Sequence, residues 1–175
     1  MTTATRRSRT SMSSWRKGRR VAAAVGAVSL GLITLSACDK PTPLATVTVG
    51  TSSVNAEATE GCYGDGKVLN EKKTKDCLSK KAGKSIKGAP GEKVRIGVDP
   101  EIGESGWVLV SNNPLMKEPS KDNYRSFDGD ALFEQKDPQT GQSYGMRDKV
   151  TIAIVELKGK DGPKGMWHFE LVREK

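Results

Sequence analysis

Apolar and polar side chains alternate through most of the chain beyond residue 44. In Lys93–Val98, Val94, Ile96 and Val98 recur at every second position, the period of a strand with one buried face. Pro90-Gly91 predicts a turn before that strand, and Asp99-Pro100 ends it. Thr46-Val47-Thr48-Val49 is rich in β-branched residues and stops at Gly50, so it reads as a strand. Val54 to Thr59 and Asn123 to Phe127 read as two more. Gly106 to Val110 is apolar on both faces, which predicts a central strand. Lys149 to Leu157 carries branched residues on both faces and is the strongest strand signal. In Gly165 to Val172, Trp167, Phe169 and Leu171 share the inward face, and His168 and Glu170 are expected to face solvent.

One stretch departs from period two. Asn70 to Lys81 has Thr74 as its only β-branched residue and is dense in lysine. It predicts a turn or two of helix that carries Cys77 and Leu78 inward. Seven short strands with Gly/Pro punctuation predict one all-β domain over 44–175. The expected fold is an immunoglobulin-like β-sandwich with a short helical, disulfide-tied insertion.

The N-terminal pattern is different in kind. Arg6, Arg7, Arg9, Arg16, Lys17, Arg19 and Arg20 precede Val21–Ala37, a stretch of 17 residues without charge. A basic region, an apolar core and a small-residue exit make a secretory signal. As a helix the apolar run spans about 26 Å, short of the ~30 Å hydrocarbon core that a permanent anchor crosses. Leu35-Ser36-Ala37-Cys38 then resembles the lipobox of bacterial lipoproteins, where the cysteine thiol takes a diacylglycerol and the bond before it is cut. Residues 1–37 are therefore expected to be a cleaved signal peptide, Cys38 the lipidation site, and 38–43 the anchor and a short spacer. The domain is expected on the extracytoplasmic face of the cell membrane. Val21-Ala22-Ala23 after Arg19-Arg20 lacks the bulky apolar pair of twin-arginine signals, so general secretion is favoured.

Removing that segment changes the charge. The chain holds 29 basic and 21 acidic residues, net +8; the signal takes away seven basic residues and no acid, leaving 22 against 21, net +1. A nucleic-acid-binding domain is expected to be basic, and this one is nearly neutral. With Cys38 lipidated, Cys62 and Cys77 remain, an even pair in an exported chain, expected to oxidise. The closed loop of about 15 residues is worth roughly 3 kcal/mol. Zinc needs four ligands, and a redox pair would be C-x-x-C; the spacing here is wider.

The order of these features resembles a family of uncharacterised actinobacterial secreted lipoproteins. The matching pieces are the lipobox, Cys62-Tyr63, Cys77, Ala89-Pro90-Gly91, Val98-Asp99-Pro100-Glu101-Ile102, Trp107–Val110 and Gly165-Met166-Trp167-His168-Phe169. That family has no assigned activity, so the resemblance implies location and fold alone.

Candidate chemistry is thin. His168 is the sole histidine, and any Ser-His-Asp or Cys-His arrangement would have to use it. Two carboxylate groups stand out, Asp99, Glu101 and Glu104, then Asp128, Asp130, Glu134 and Asp137; a facing pair could serve glycoside cleavage. Asp128-Gly129-Asp130 opens like a calcium loop, but Ala131, Leu132 and Phe133 break the EF-hand spacing. No metal or other cofactor is expected. Residues 65–95 hold 10 basic and 4 acidic residues, whereas 96–148 hold 5 and 10. The lysines are Lys67, Lys72, Lys73, Lys75, Lys80, Lys81, Lys84 and Lys87, either a solvated face or a contact for anionic lipid or wall polymer. The favoured function is a non-catalytic binding module of the cell envelope, with an envelope protein, polymer or anionic lipid as partner. The alternatives are a structural envelope protein without a ligand and a carboxylate-dependent enzyme acting on wall material.

Overall fold

The computed structural model describes residues 41–112, 115–137 and 139–175. The expected signal peptide and Cys38 lie outside them. The protein is mostly β. A first sheet contains β1 (Ala45–Val49), β2 (Ser52–Ala56), β4 (Lys93–Val98) and β6 (Tyr124–Asp128), in the order β2-β1-β4-β6 and antiparallel throughout. The second contains β3 (Lys84–Gly88), β5 (Trp107–Val110), β9 (Lys149–Leu157) and β10 (Pro163–Arg173), in the order β3-β10-β9-β5. Only β3 runs parallel to its neighbour in that sheet. A separate hairpin joins β7 (Glu134–Lys136) to β8 (Ser143–Met146).

Alternation explains the main core. Val47 and Val49 of β1, Val94 and Ile96 of β4, and Phe127 of β6 are buried with Ile152 and Ile154 of β9 and Trp167, Phe169 and Leu171 of β10. Both sheets thus contribute one face to a shared cluster. The other face of β9 and β10 is covered too. Ala153, Val155 and Met166 pack with Leu69, Cys62 and Cys77 in a second, smaller cluster. The Cys62–Cys77 disulfide is formed, with Cα atoms 5.8 Å apart, and its loop is the layer that closes this outer face. That is why β9 is branched on both sides.

The helix in this layer, α1 (Glu71–Leu78), begins where Asn70 accepts a hydrogen bond from the Lys73 amide at 2.8 Å, a side-chain N-cap. Cys77 faces inward as expected, but Leu78 does not; it is 47% exposed. One residue further along a helix is a rotation of about 100°, so Leu78 leaves the buried stripe.

Two further corrections have one cause. Gly106–Val110 was expected to be central, yet β5 is an edge strand, paired with β9 alone and bridged at Trp107 to Ser120. His168 was expected to face solvent, yet it is 3% exposed. Both lie in a sheet whose outer face the disulfide loop covers in part, over Val108 and Met166 but not Val110, so apolar character on both sides does not mark a central strand and the outer side of β10 is not wet at His168. Two short helices were not foreseen. In α2 (Pro100–Ser105), Pro100 takes the first turn after Asp99, and in α3 (Gly129–Phe133), the Asp128 carboxylate caps the Asp130 amide at 3.0 Å.

Candidate functional site

Residues 41–43, the described part of the expected spacer, are fastened together with Leu44 to one end of the domain. The Trp167 indole Nε1 donates to the Pro43 carbonyl at 2.8 Å, the Leu44 amide to Asp99 Oδ2 at 2.7 Å, and the Ala58 amide to Thr42 Oγ1 at 2.8 Å. Trp167 is fully buried, with Tyr63 edge-on at 6.2 Å between ring centroids. Gly165 makes this approach possible, because a Cβ there would lie 2.7 Å from the Trp167 ring.

The same end holds a buried polar cluster, of which the period of β9 places only Glu156. Glu156 follows Ile152 and Ile154 on the inward face of β9 and has no exposed surface. Its Oε1 lies 2.9 Å from the Nζ of Lys164, itself 8% exposed. The ammonium is the carboxylate's charged partner in a site closed to solvent. Burial pushes Glu156 above the usual carboxylate range, although Lys164 and Ser105 pull the other way. Tyr63 donates to Glu101 Oε1 at 3.2 Å, and burial followed by the charges of Glu101 and Glu156 pushes its phenol up to about 12. Glu156 and Lys164 were missed because β9 was read for its branched residues, not for what its inward period carries at the strand end.

The carboxylates singled out in the sequence do not meet. Asp99 follows the last residue of β4, whereas Asp128 pairs with Lys93, the first. The six steps of chain from Lys93 to Asp99 separate Asp128 from Asp99 by about 20 Å, against ~5–9.5 Å for a glycosidase pair. Asp99 accepts from Leu44 and Glu101 from Tyr63, while Glu104 is exposed. At the far end, Asp130 Oδ2 accepts from the Gly91 amide at 3.1 Å. Glu134 is held below the usual range by hydrogen bonds from Lys136 and Ser143, and Asp137 by the Thr140 and Gln139 amides. Among the described residues, no three His, Cys, Asp or Glu side chains are grouped to hold a metal, and no helix is long and apolar enough to cross a membrane.

A pocket of about 610 Å³ opens beside Leu44. Thr59, His168, Lys80, Lys81 and Lys84 line it, with Glu57 and Glu60 on the same rim. The expected lysine cluster is thereby split, since Lys67, Lys72, Lys73, Lys75 and Lys87 do not reach this pocket and Lys75 pairs with Glu71 at 2.7 Å. Thr59 Oγ1 and His168 Nδ1 are 2.8 Å apart; the other ring nitrogen, Nε2, is buried without a hydrogen-bond partner among the described residues. No family model, no curated protein and no solved structure matches the chain.

Burial lowers the His168 pKa from 6.5. The unfolded chain takes up the proton first, so the stability tied to the neutral ring is present above about pH 6.5 and is lost as pH falls toward the folded value. Replacing His168 with Gln is expected to flatten the fall in melting temperature between about pH 7.5 and 5.5. Parallel curves for the two proteins would show that the ring is not held neutral by burial.

Proposed function

We propose that this chain is a lipoprotein cut before Cys38, anchored by its lipid to the extracytoplasmic face of the cell membrane, and acting there as a non-catalytic binding module. The observation that carries the reading is Leu35-Ser36-Ala37-Cys38 at the end of an uncharged stretch behind seven basic residues. The Cys62–Cys77 disulfide supports it, because such bonds persist outside the reducing cytoplasm. The resemblance to uncharacterised actinobacterial lipoproteins supports it too. In this reading the two sheets sharing one core form a two-layer, immunoglobulin-like sandwich.

The fastened spacer gives the anchor a consequence. Only Asp39, Lys40 and Pro41 separate Cys38 from the hydrogen-bonded Thr42, a reach of at most about 14 Å. The end of the domain bearing Asp99, Tyr63 and the pocket beside Leu44 therefore lies near the headgroups, and the far end is presented outward. An enzyme acting on wall material would have to use the Glu101, Tyr63 and Glu156 cluster, since the two loop carboxylate groups lie at opposite ends of β4.

Expression in a bacterial host with membrane fractionation, in-cell cross-linking and mass spectrometry tests this. The intact chain is expected in the membrane fraction with a diacylglycerol on Cys38, and Cys38→Ala is expected to lose that lipid and keep its signal uncut. One partner captured by the anchored form alone names the interaction. An unmodified Cys38 would overturn the anchor, and failure to capture any partner would leave lipid or polymer as the surface bound.

A further inference from the structure

We propose that the pocket beside Leu44 receives the phosphodiester headgroup of an anionic phospholipid from the leaflet that holds the Cys38 lipid; this rests on the anchored reading above. Leu44 lines the pocket and stands six residues after Cys38, so the pocket lies within about 22 Å of the anchor along even a fully extended chain. The fastened Thr42 and Pro43 shorten that distance further. The headgroup layer is thus the nearest large source of ligand to this opening.

The lining fits one negative charge. Lys80, Lys81 and Lys84 supply three cations and Glu57 and Glu60 two anions, so with His168 neutral the balance is three minus two, net +1. That matches a monoanionic phosphodiester and disfavours a polyanionic polymer. Below the lysines the wall is built, not merely solvated. His168 is 3% exposed, and its Nδ1 is tied to the Thr59 hydroxyl. The Thr59 contact thus fixes the ring as a buried part of the pocket wall, and the three lysines are the groups that meet the headgroup. Of the basic stretch, only Lys80, Lys81 and Lys84 line this pocket.

Amine labelling read by mass spectrometry tests it on the lipidated full chain in vesicles of phosphatidylcholine alone or with phosphatidylglycerol. Phosphatidylglycerol is expected to cut labelling of Lys80, Lys81 and Lys84 severalfold while Lys93, at the far end of β4, is unchanged. Added salt is expected to restore little of it, because a seated pair is screened less than exposed charge. Equal labelling in the two vesicles overturns the proposal. So does equal protection of Lys72 and Lys73, which would mean diffuse attraction, and so does the same protection by inorganic phosphate over neutral vesicles. The Cys38 peptide from the same sample separates the two readings. Lipid on Cys38 without protection removes the pocket alone, and no lipid on Cys38 removes both.

Discussion

Lys164→Met is expected to destabilise the domain by about 3–5 kcal/mol near neutral pH, because it strands the Glu156 carboxylate in a site with no exposed surface. The pH dependence gives the mechanism away. Burial already holds Glu156 above the usual carboxylate range, and losing the ammonium raises it further. The folded state then binds the proton more tightly than the unfolded chain, so the stability linked to the protonated acid is full below the ordinary carboxylate range and is lost as pH rises through the folded value. The variant's deficit is therefore expected to be largest at neutral pH and to shrink in acid. Replacing both partners, Glu156→Leu with Lys164→Met, is expected to restore most of the loss, since a buried pair exchanged for apolar side chains is often neutral. Denaturant unfolding at two pH values measures all three proteins. A deficit under about 1 kcal/mol for the single variant, the range of exposed pairs, would mean that water reaches Glu156.

The second large effect is expected at Trp167. Trp167→Ala empties the centre of the shared core and should lower stability by about 3–5 kcal/mol. Trp167→Phe separates packing from tethering. It keeps an aromatic body but removes the donor to the Pro43 carbonyl, a loss of about 1 kcal/mol. Its signature is local. The amides of Leu44 and Ala58, which bond to Asp99 and Thr42, are expected to exchange faster while those of β9 do not. Unchanged exchange at these two amides would show that Thr42 and Asp99 hold the segment without the indole.

These residues also show what was legible in advance. Where a sheet has one wet face, period two reads it correctly, and β1, β4 and β6 fall close to where alternation puts them. The second sheet defeats the rule because the disulfide loop covers its outer face. Alternation still assigns His168 to the side opposite Trp167, but side no longer implies solvent. On the edge strand β5 the same cover reaches Val108, while Val110 on that side stays 40% exposed. β3 was invisible for a different reason: Lys84-Ser85-Ile86-Lys87-Gly88 has one apolar residue and is a strand only because β10 lies beside it. Of the candidate sites, the disulfide was readable from cysteine arithmetic. The Glu156–Lys164 pair needed the register of β9 against β10, in which a shift between Pro163 and Gly165 sets Lys164 apart. The pocket joins residues from 44, 55–60, 80–84 and 168, which only the folded chain brings together.

The strand order has a consequence for how the chain reaches this state. The first sheet is complete once residue 128 is available, but β3 and β5 wait for a partner until β9 and β10 are supplied by residues 149–173. Those late strands also bring Ile152, Ile154, Trp167 and Phe169 to the core. Closure is thus long-range in sequence, and contacts of that kind make folding slow. Cys62 and Cys77 are 15 residues apart, and both precede in sequence the β9–β10 surface that their loop covers. A chain synthesised from its N-terminus therefore holds one finished sheet with its apolar side open until the last hairpin arrives to close it.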